Sequence, residues 1–211
     1  MSKRVRASRS WSLAFLVPGA VVVLTLAGCG GGGSDDEMLV LGGTKAREGV
    51  AGGGSATVAN TLAIGDNGLN SGRVALLSFS LQDLPSGAEV ESATLGIHQL
   101  DETFGTPYAD LGVVVVDSVD LGAGVDGADA ASAALIPLLG TLSTSVAPGE
   151  RTLDVTAAVL ADVAALRTRS EFRIRFFLAT DGDGQQDTVQ IRETGGSGSG
   201  APPTLVVVYR P

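Results

Sequence analysis

The sequence predicts an all-β protein, an antiparallel β-sandwich carrying one short helix. Ten short apolar, β-branched runs are punctuated by Gly, Asp, Asn and Pro, at 38–42, 55–64, 73–81, 90–99, 111–119, 134–143, 150–154, 171–180, 186–193 and 204–210. Short strands with turn signals between them read as a sandwich or barrel. Of the 211 residues, 44% are apolar and 18% charged, which excludes a disordered acidic chain and suffices for a core. Only one segment, near 154–166, has clear helical spacing.

The first 28 residues read as a leader rather than as fold. Lys3, Arg4, Arg6 and Arg9 precede an apolar stretch from Trp11 to Ala27, broken at Pro18-Gly19 and ending in small residues. That order is the secretory one, and about 17 apolar residues is at the short limit for a membrane span. Leu26-Ala27-Gly28-Cys29 resembles the lipobox of bacterial lipoproteins at every position. The resemblance implies a diacylglyceryl group on the Cys29 sulfur, cleavage ahead of Cys29 and acylation of the new amino terminus. Two or more chains hold a protein firmly to a membrane where one does not. Gly30 follows the cysteine where the family's inner-membrane members carry an acid, so an outer-membrane address is expected if the cell has one. Residues 29–37 form a Gly-rich tether, kept solvated by Asp35, Asp36 and Glu37. Residues 38–211 are expected to be the sandwich domain.

Cleavage would remove four basic residues and no acidic ones, leaving ten basic against 23 acidic. That balance argues against nucleic acid as a partner. One Cys and one His exclude a disulfide scaffold and any cysteine- or histidine-rich metal site.

Along the domain, Ala93, Leu95 and Ile97 alternate to one face of their run. Phe172, Ile174, Phe176 and Leu178 do the same, with Arg173, Arg175 and Phe177 opposite. The segment 129–139 fits helix or strand, with Pro137 against both. In 154–166, Val159, Val163 and Leu166 share a helix face, Asp154 or Thr156 can cap the start, and Arg167 and Arg169 suit the C-terminal dipole.

The order of segments then resembles a known family. Arg73 to Leu81, Leu84-Pro-Ser-Gly-Ala through Ile97, Leu153-Asp-Val-Thr156 and the closing run Pro202 to Tyr209 are similar to the signatures of DNRLRE-type domains, over about residues 50–211. Ser80 stands where the family often has an acid, and 155–166 lacks its usual aromatic. The resemblance implies a jelly-roll-like sandwich, commonly placed beside polysaccharide-degrading domains and in some members a carbohydrate-binding module.

Candidate chemistry is sparse. His98, near Asp101 and Glu102, reads as an outer-face strand residue, and no Gly-x-Ser-x-Gly motif is present, so an enzyme is not expected. Asp181, Asp183 and Asp187, spaced by Gly and Gln, could give a calcium ion oxygen ligands. The same loop fits a hairpin turn between runs 171–180 and 186–193. Asp117, Asp120, Asp126 and Asp129 read as a solvated loop. Phe104 and Tyr108, in a polar loop, are candidates for a sugar-binding ring platform. Arg173 and Arg175, with Arg167 and Arg169, could meet an acidic polysaccharide or simply balance the acidic surface. The expected function is a non-catalytic envelope lipoprotein whose sandwich binds extracellular or cell-surface glycan. The alternative is a structural or adhesive envelope module with a protein partner.

Overall fold

The computed structural model describes residues 22–25, 36–58, 61–196 and 200–211. Cys29, the tether as far as residue 35 and all of the leader except 22–25 lie outside the described residues.

Thirteen strands are described: β1 Val22–Thr25, β2 Glu37–Gly42, β3 Gly49–Gly52, β4 Ser55–Thr57, β5 Thr61–Asn67, β6 Gly72–Ser80, β7 Glu89–Phe104, β8 Val114–Ser118, β9 Ile136–Ser143, β10 Gly149–Asp154, β11 Arg169–Phe176, β12 Gln186–Arg192 and β13 Thr204–Arg210. Two helices join them, the single turn α1 Pro107–Asp110 and α2 Thr156–Ala164. Every strand pairing among the described residues is antiparallel. The strands make one curled sheet of order β1-β2-β13-β7-β12-β5-β6-β11-β8-β9, with β10 added to β7 and the β3–β4 pair to β6. The long β7 organises one half: β13 follows its first part, β12 its last, and β10 takes the opposite edge. The all-β, sandwich-like expectation holds, with α1 as an extra turn.

Alternation places the core. Ala93, Leu95 and Ile97 of β7 and Leu205, Val207 and Tyr209 of β13 meet Phe79, Phe172, Ile174 and Phe176 from the other half in one continuous cluster. The Tyr209 hydroxyl donates to Glu37 Oε2 at 2.6 Å, pinning the last strand to the first of the domain.

The arginine-bearing face of β11 is not open, as half-buried alternation would require. Glu171 and Arg173 are buried beside Phe172, Ile174 and Phe176. The cover is the chain after β8, where Val119 and Leu121 pack with Ala51, Val74 and Leu76 in a second apolar cluster. The segment expected to be a solvated acidic loop is therefore a third layer, with Asp117 and Asp129 buried inside it. Leu178, expected in the core, lies beyond the end of β11 and is exposed.

Segment 129–139 resolves into turns followed by β9. Pro137 is tolerated because β9 ends the sheet path, where a missing N–H costs little. Leu138 adopts φ 52° and turns its N–H onto Asp117 Oδ1 at 3.0 Å.

The helix starts where expected, but its N-cap is Val155, which has no side-chain cap. Asp154 Oδ1 accepts the N–H of the first helical residue, Thr156, at 2.8 Å, and Thr156 Oγ1 accepts the Ala93 N–H of β7 at 2.9 Å. Its C-terminus departs from expectation. Leu166, at φ 56° and 89% exposed, occupies the left-handed position that follows many helices. The N–H groups of Leu166 and Arg167 then reach back to the Val163 and Asp162 carbonyls. Val159 is buried and Val163 packs against the core as expected, and Ala158 and Asp162 complete the buried face in place of Leu166. Among the described residues no helix is long and apolar enough to cross a membrane.

Candidate functional site

The most site-like arrangement lies at one end of the sandwich. β7 runs on to Phe104, and Gly105 then turns the chain at φ 65°. Only a glycine fits there, because a Cβ would meet Asp187 Oδ1 at 2.2 Å. The turn aims the Thr106 N–H at Asp187 Oδ1, 2.6 Å away, and leads into α1 with Pro107 at its start. The Thr106 hydroxyl bonds Asp110, fixing that carboxylate over the same spot.

The acidic loop arrives from the other half of the sheet. β11 pairs with β6 and β8, whereas β12 pairs with β5 and β7, so 177–185 is a crossover and not a hairpin. The loop is shaped by its own side chains: Asp181 Oδ1 accepts the Asp183 N–H at 3.2 Å, and Asp183 Oδ1 the Gln185 N–H at 2.6 Å. Asn70 Oδ1 accepts the Gly184 N–H at 2.9 Å and ties the loop to the β5–β6 turn.

Together these segments enclose an open concavity of about 400 Å³, lined by Phe104, Asp110, Asp183, Gln185, Gln186 and Asp187. The Phe104 side is 49% exposed, so an apolar surface borders a set of carboxylates and amides. Carboxylate oxygens of Asp110, Asp181 and Asp187 lie within 4.8 Å of one another. Burial pushes the Asp187 carboxyl above its ordinary value; the Thr106 N–H opposes this, while Asp110, Asp183 and Asp181 add repulsion. An all-oxygen set at that separation suits a hard cation, since calcium–oxygen bonds run to about 2.3–2.6 Å.

Of the three loop carboxylates singled out in the sequence, Asp181 and Asp187 join this group. Asp183 lines the concavity while its Oδ1 serves the loop. Asp110 was missed, because only the pairing of β12 with β7 brings it there.

The other expected binding residues are engaged elsewhere. Tyr108 does not pair with Phe104 as a platform. Its ring packs edge-on to Phe176 with centroids 5.1 Å apart, and its hydroxyl bonds Gln99 and Ser143, each at 2.8 Å. Arg173 gives Nε and Nη2 to Asp117 Oδ2 at 3.1 and 2.9 Å, and Nη1 to the Ser132 carbonyl at 2.8 Å. Arg175 Nε reaches the same Asp117 oxygen at 2.8 Å. Arg167 pairs with Asp120 and Asp162, and Arg169 with Ser78 and Thr44. These arginines neutralise buried carboxylates and do not form an open basic patch. His98 Nδ1 lies 2.7 Å from Glu150 Oε1 across the β7–β10 pair, with Gly200 over its ring.

Compared with known proteins, the chain matches no protein-family model and no curated sequence.

Proposed function

We propose that the chain is a non-catalytic envelope lipoprotein whose sandwich binds extracellular or cell-surface glycan at the Phe104 concavity. The observation that carries this reading is the half-exposed Phe104 ring beside convergent carboxylates and amides. A flat ring face offers apolar contact to sugar C–H groups, and the Asp and Gln side chains offer acceptors and donors to hydroxyls. The segment order resembling DNRLRE-type domains supports the same reading. Tyr108, Arg173 and Arg175 have no part in this version of the site. A calcium ion held by Asp110, Asp181 and Asp187 would leave coordination positions for sugar hydroxyls.

The test is a glycan array probed with the detergent-purified full chain, with and without calcium. Phe104→Ala is expected to weaken binding about tenfold, the loss of one aromatic contact of roughly 1–1.5 kcal/mol. Loss of binding on chelation would bring in the three carboxylates; unchanged binding would remove the ion from the mechanism. No binding across neutral and acidic panels would overturn the reading in favour of a structural module.

The anchor is tested separately. Cys29→Ser should abolish incorporation of labelled fatty acid, because no acyl chain can then be attached. Label taken up equally by the variant and the wild type would refute lipidation at Cys29.

A further inference from the structure

Nine arginines lie in the described residues, and eight of them are committed to hydrogen bonds or ion pairs. Arg73 has no such partner among the described residues, although it stands on β6 in a strongly acidic protein. It lines a concavity of about 240 Å³ with Ser55, Thr57, Thr61 and Ala63, so three hydroxyl-bearing residues share the lining with one arginine. The Ser55 hydroxyl donates to the Gly52 carbonyl at 3.3 Å, while those of Thr57 and Thr61 have no partner among the described residues. No carboxylate lines this concavity, in contrast to the Phe104 site.

A second arginine belongs to the same face. Arg192 of β12 stands directly opposite Thr61 of β5, and directly opposed residues of an antiparallel pair project to one side. Its Nη2 donates to the Gly196 carbonyl, but Nε and Nη1 are buried with no hydrogen-bond partner among the described residues. This face therefore carries two positive charges, of which Arg73 is the one that lines the concavity and has no hydrogen-bond or ion-pair partner among the described residues.

We propose that Arg73, with Thr57 and Thr61, is an anion subsite that takes an oxyanion substituent of an acidic saccharide. A guanidinium fork matches a carboxylate or sulfate through paired N–H groups, and neighbouring hydroxyls supply further donors. The volume suits one anionic group and the ring bearing it more than a long chain. The saccharide source rests on the glycan reading above; the anion chemistry does not. The net negative charge slows approach from a distance but is screened within about 8 Å at physiological salt.

The experiment follows the arginine Nε–H resonances of the full chain in detergent micelles, assigning Arg73 by its absence from Arg73→Gln. The probes are hexagalacturonate, its methyl ester, sulfated and desulfated chondroitin hexasaccharides, and inorganic sulfate. Hexagalacturonate or the sulfated hexasaccharide should move the Arg73 signal, and the arm that does so identifies carboxylate or sulfate. Arg73→Gln should weaken that binding tenfold or more, the range for a lost charge-assisted bond, and Arg73→Lys should retain part of it. The methyl ester and the desulfated probe should leave the signal in place. Glycan binding that is equal in wild type and both variants, with a stationary Arg73 signal, overturns the subsite and leaves the glycan reading intact. A signal moved by inorganic sulfate alone, with no saccharide bound, upholds the anion subsite and overturns its saccharide source.

Discussion

Replacing Asp117 by Ala is expected to cost about 3–5 kcal/mol of folding stability, the usual range when one partner of a buried ion pair is removed. Asp117 is fully buried and accepts from Arg173, Arg175 and the Leu138 N–H at once. Its loss would strand the Arg173 guanidinium, itself only 7% exposed, and unfasten β9 from β8. In urea the midpoint should fall sharply with little change in slope. The effect also has a pH signature. Burial alone would raise the Asp117 carboxyl, but hydrogen bonds from Arg175, the Leu138 N–H and Arg173 outweigh it and hold the carboxyl below its ordinary value. A group depressed in the folded state contributes fully above the unfolded value, about 3.9 for Asp, and loses that contribution as pH falls through the lower native value. The stability gap between wild type and Asp117→Ala should therefore narrow below about pH 4. A gap that stays constant into that range would show that the carboxylate charge is not what matters.

Replacing Phe172 by Ala should cost a similar amount, about 3–5 kcal/mol, by leaving a cavity where the two halves of the sheet meet. Phe172 is fully buried, and its ring stands 6.0 Å from that of Phe79 at 59°. A chain of this size loses about 2–4 °C of melting temperature per kcal/mol, so a drop of roughly 10 °C is expected by calorimetry. Phe172→Leu, which keeps most of the volume, should lose clearly less. Equal losses for both variants would mean that the site tolerates no change in ring shape, and the cavity argument would fail.

Much of the fold was legible because one physical signal, alternation, acts within each strand. Nearly all the runs read from the sequence became strands within a few residues, and the helix begins at Thr156, where its spacing placed it, although Val155 and not Asp154 or Thr156 is the N-cap. β3 was missed because Gly49-Val-Ala-Gly52 offers two glycines and no polar alternation. Leu166 was misplaced because helix periodicity cannot show where a left-handed residue will end the helix. Pairing was the deeper obstacle. Alternation says which residues share a face of a strand, but not which strand lies beside it. Asp110 and Asp187 are 77 positions apart, and only the β7–β12 register makes them neighbours. Tyr108 looked free in a polar loop because its partner Phe176 is equally remote in sequence. Arg173 and Arg175 looked outward because nothing local announces that the chain after β8 folds back over them.

That covering segment makes the molecule directional. Over β6 and β11 the sheet is roofed by Val119, Leu121 and the carbonyls that receive Arg173, so this wall presents loop and not strand to the outside. Over β5 and β12 the cover is partial: Thr188 is fully buried, while Thr61 lines the Arg73 concavity and the Phe104 concavity opens at the end of the same two-strand ladder. Both recesses thus touch one ladder, with the roofed wall left to hold the fold together. Residues under the roof should report on folding when altered, as should the buried Leu62, Ile64, Val189 and Ile191 of the ladder. The exposed residues that line the two recesses, in contrast, can be altered with little effect on unfolding.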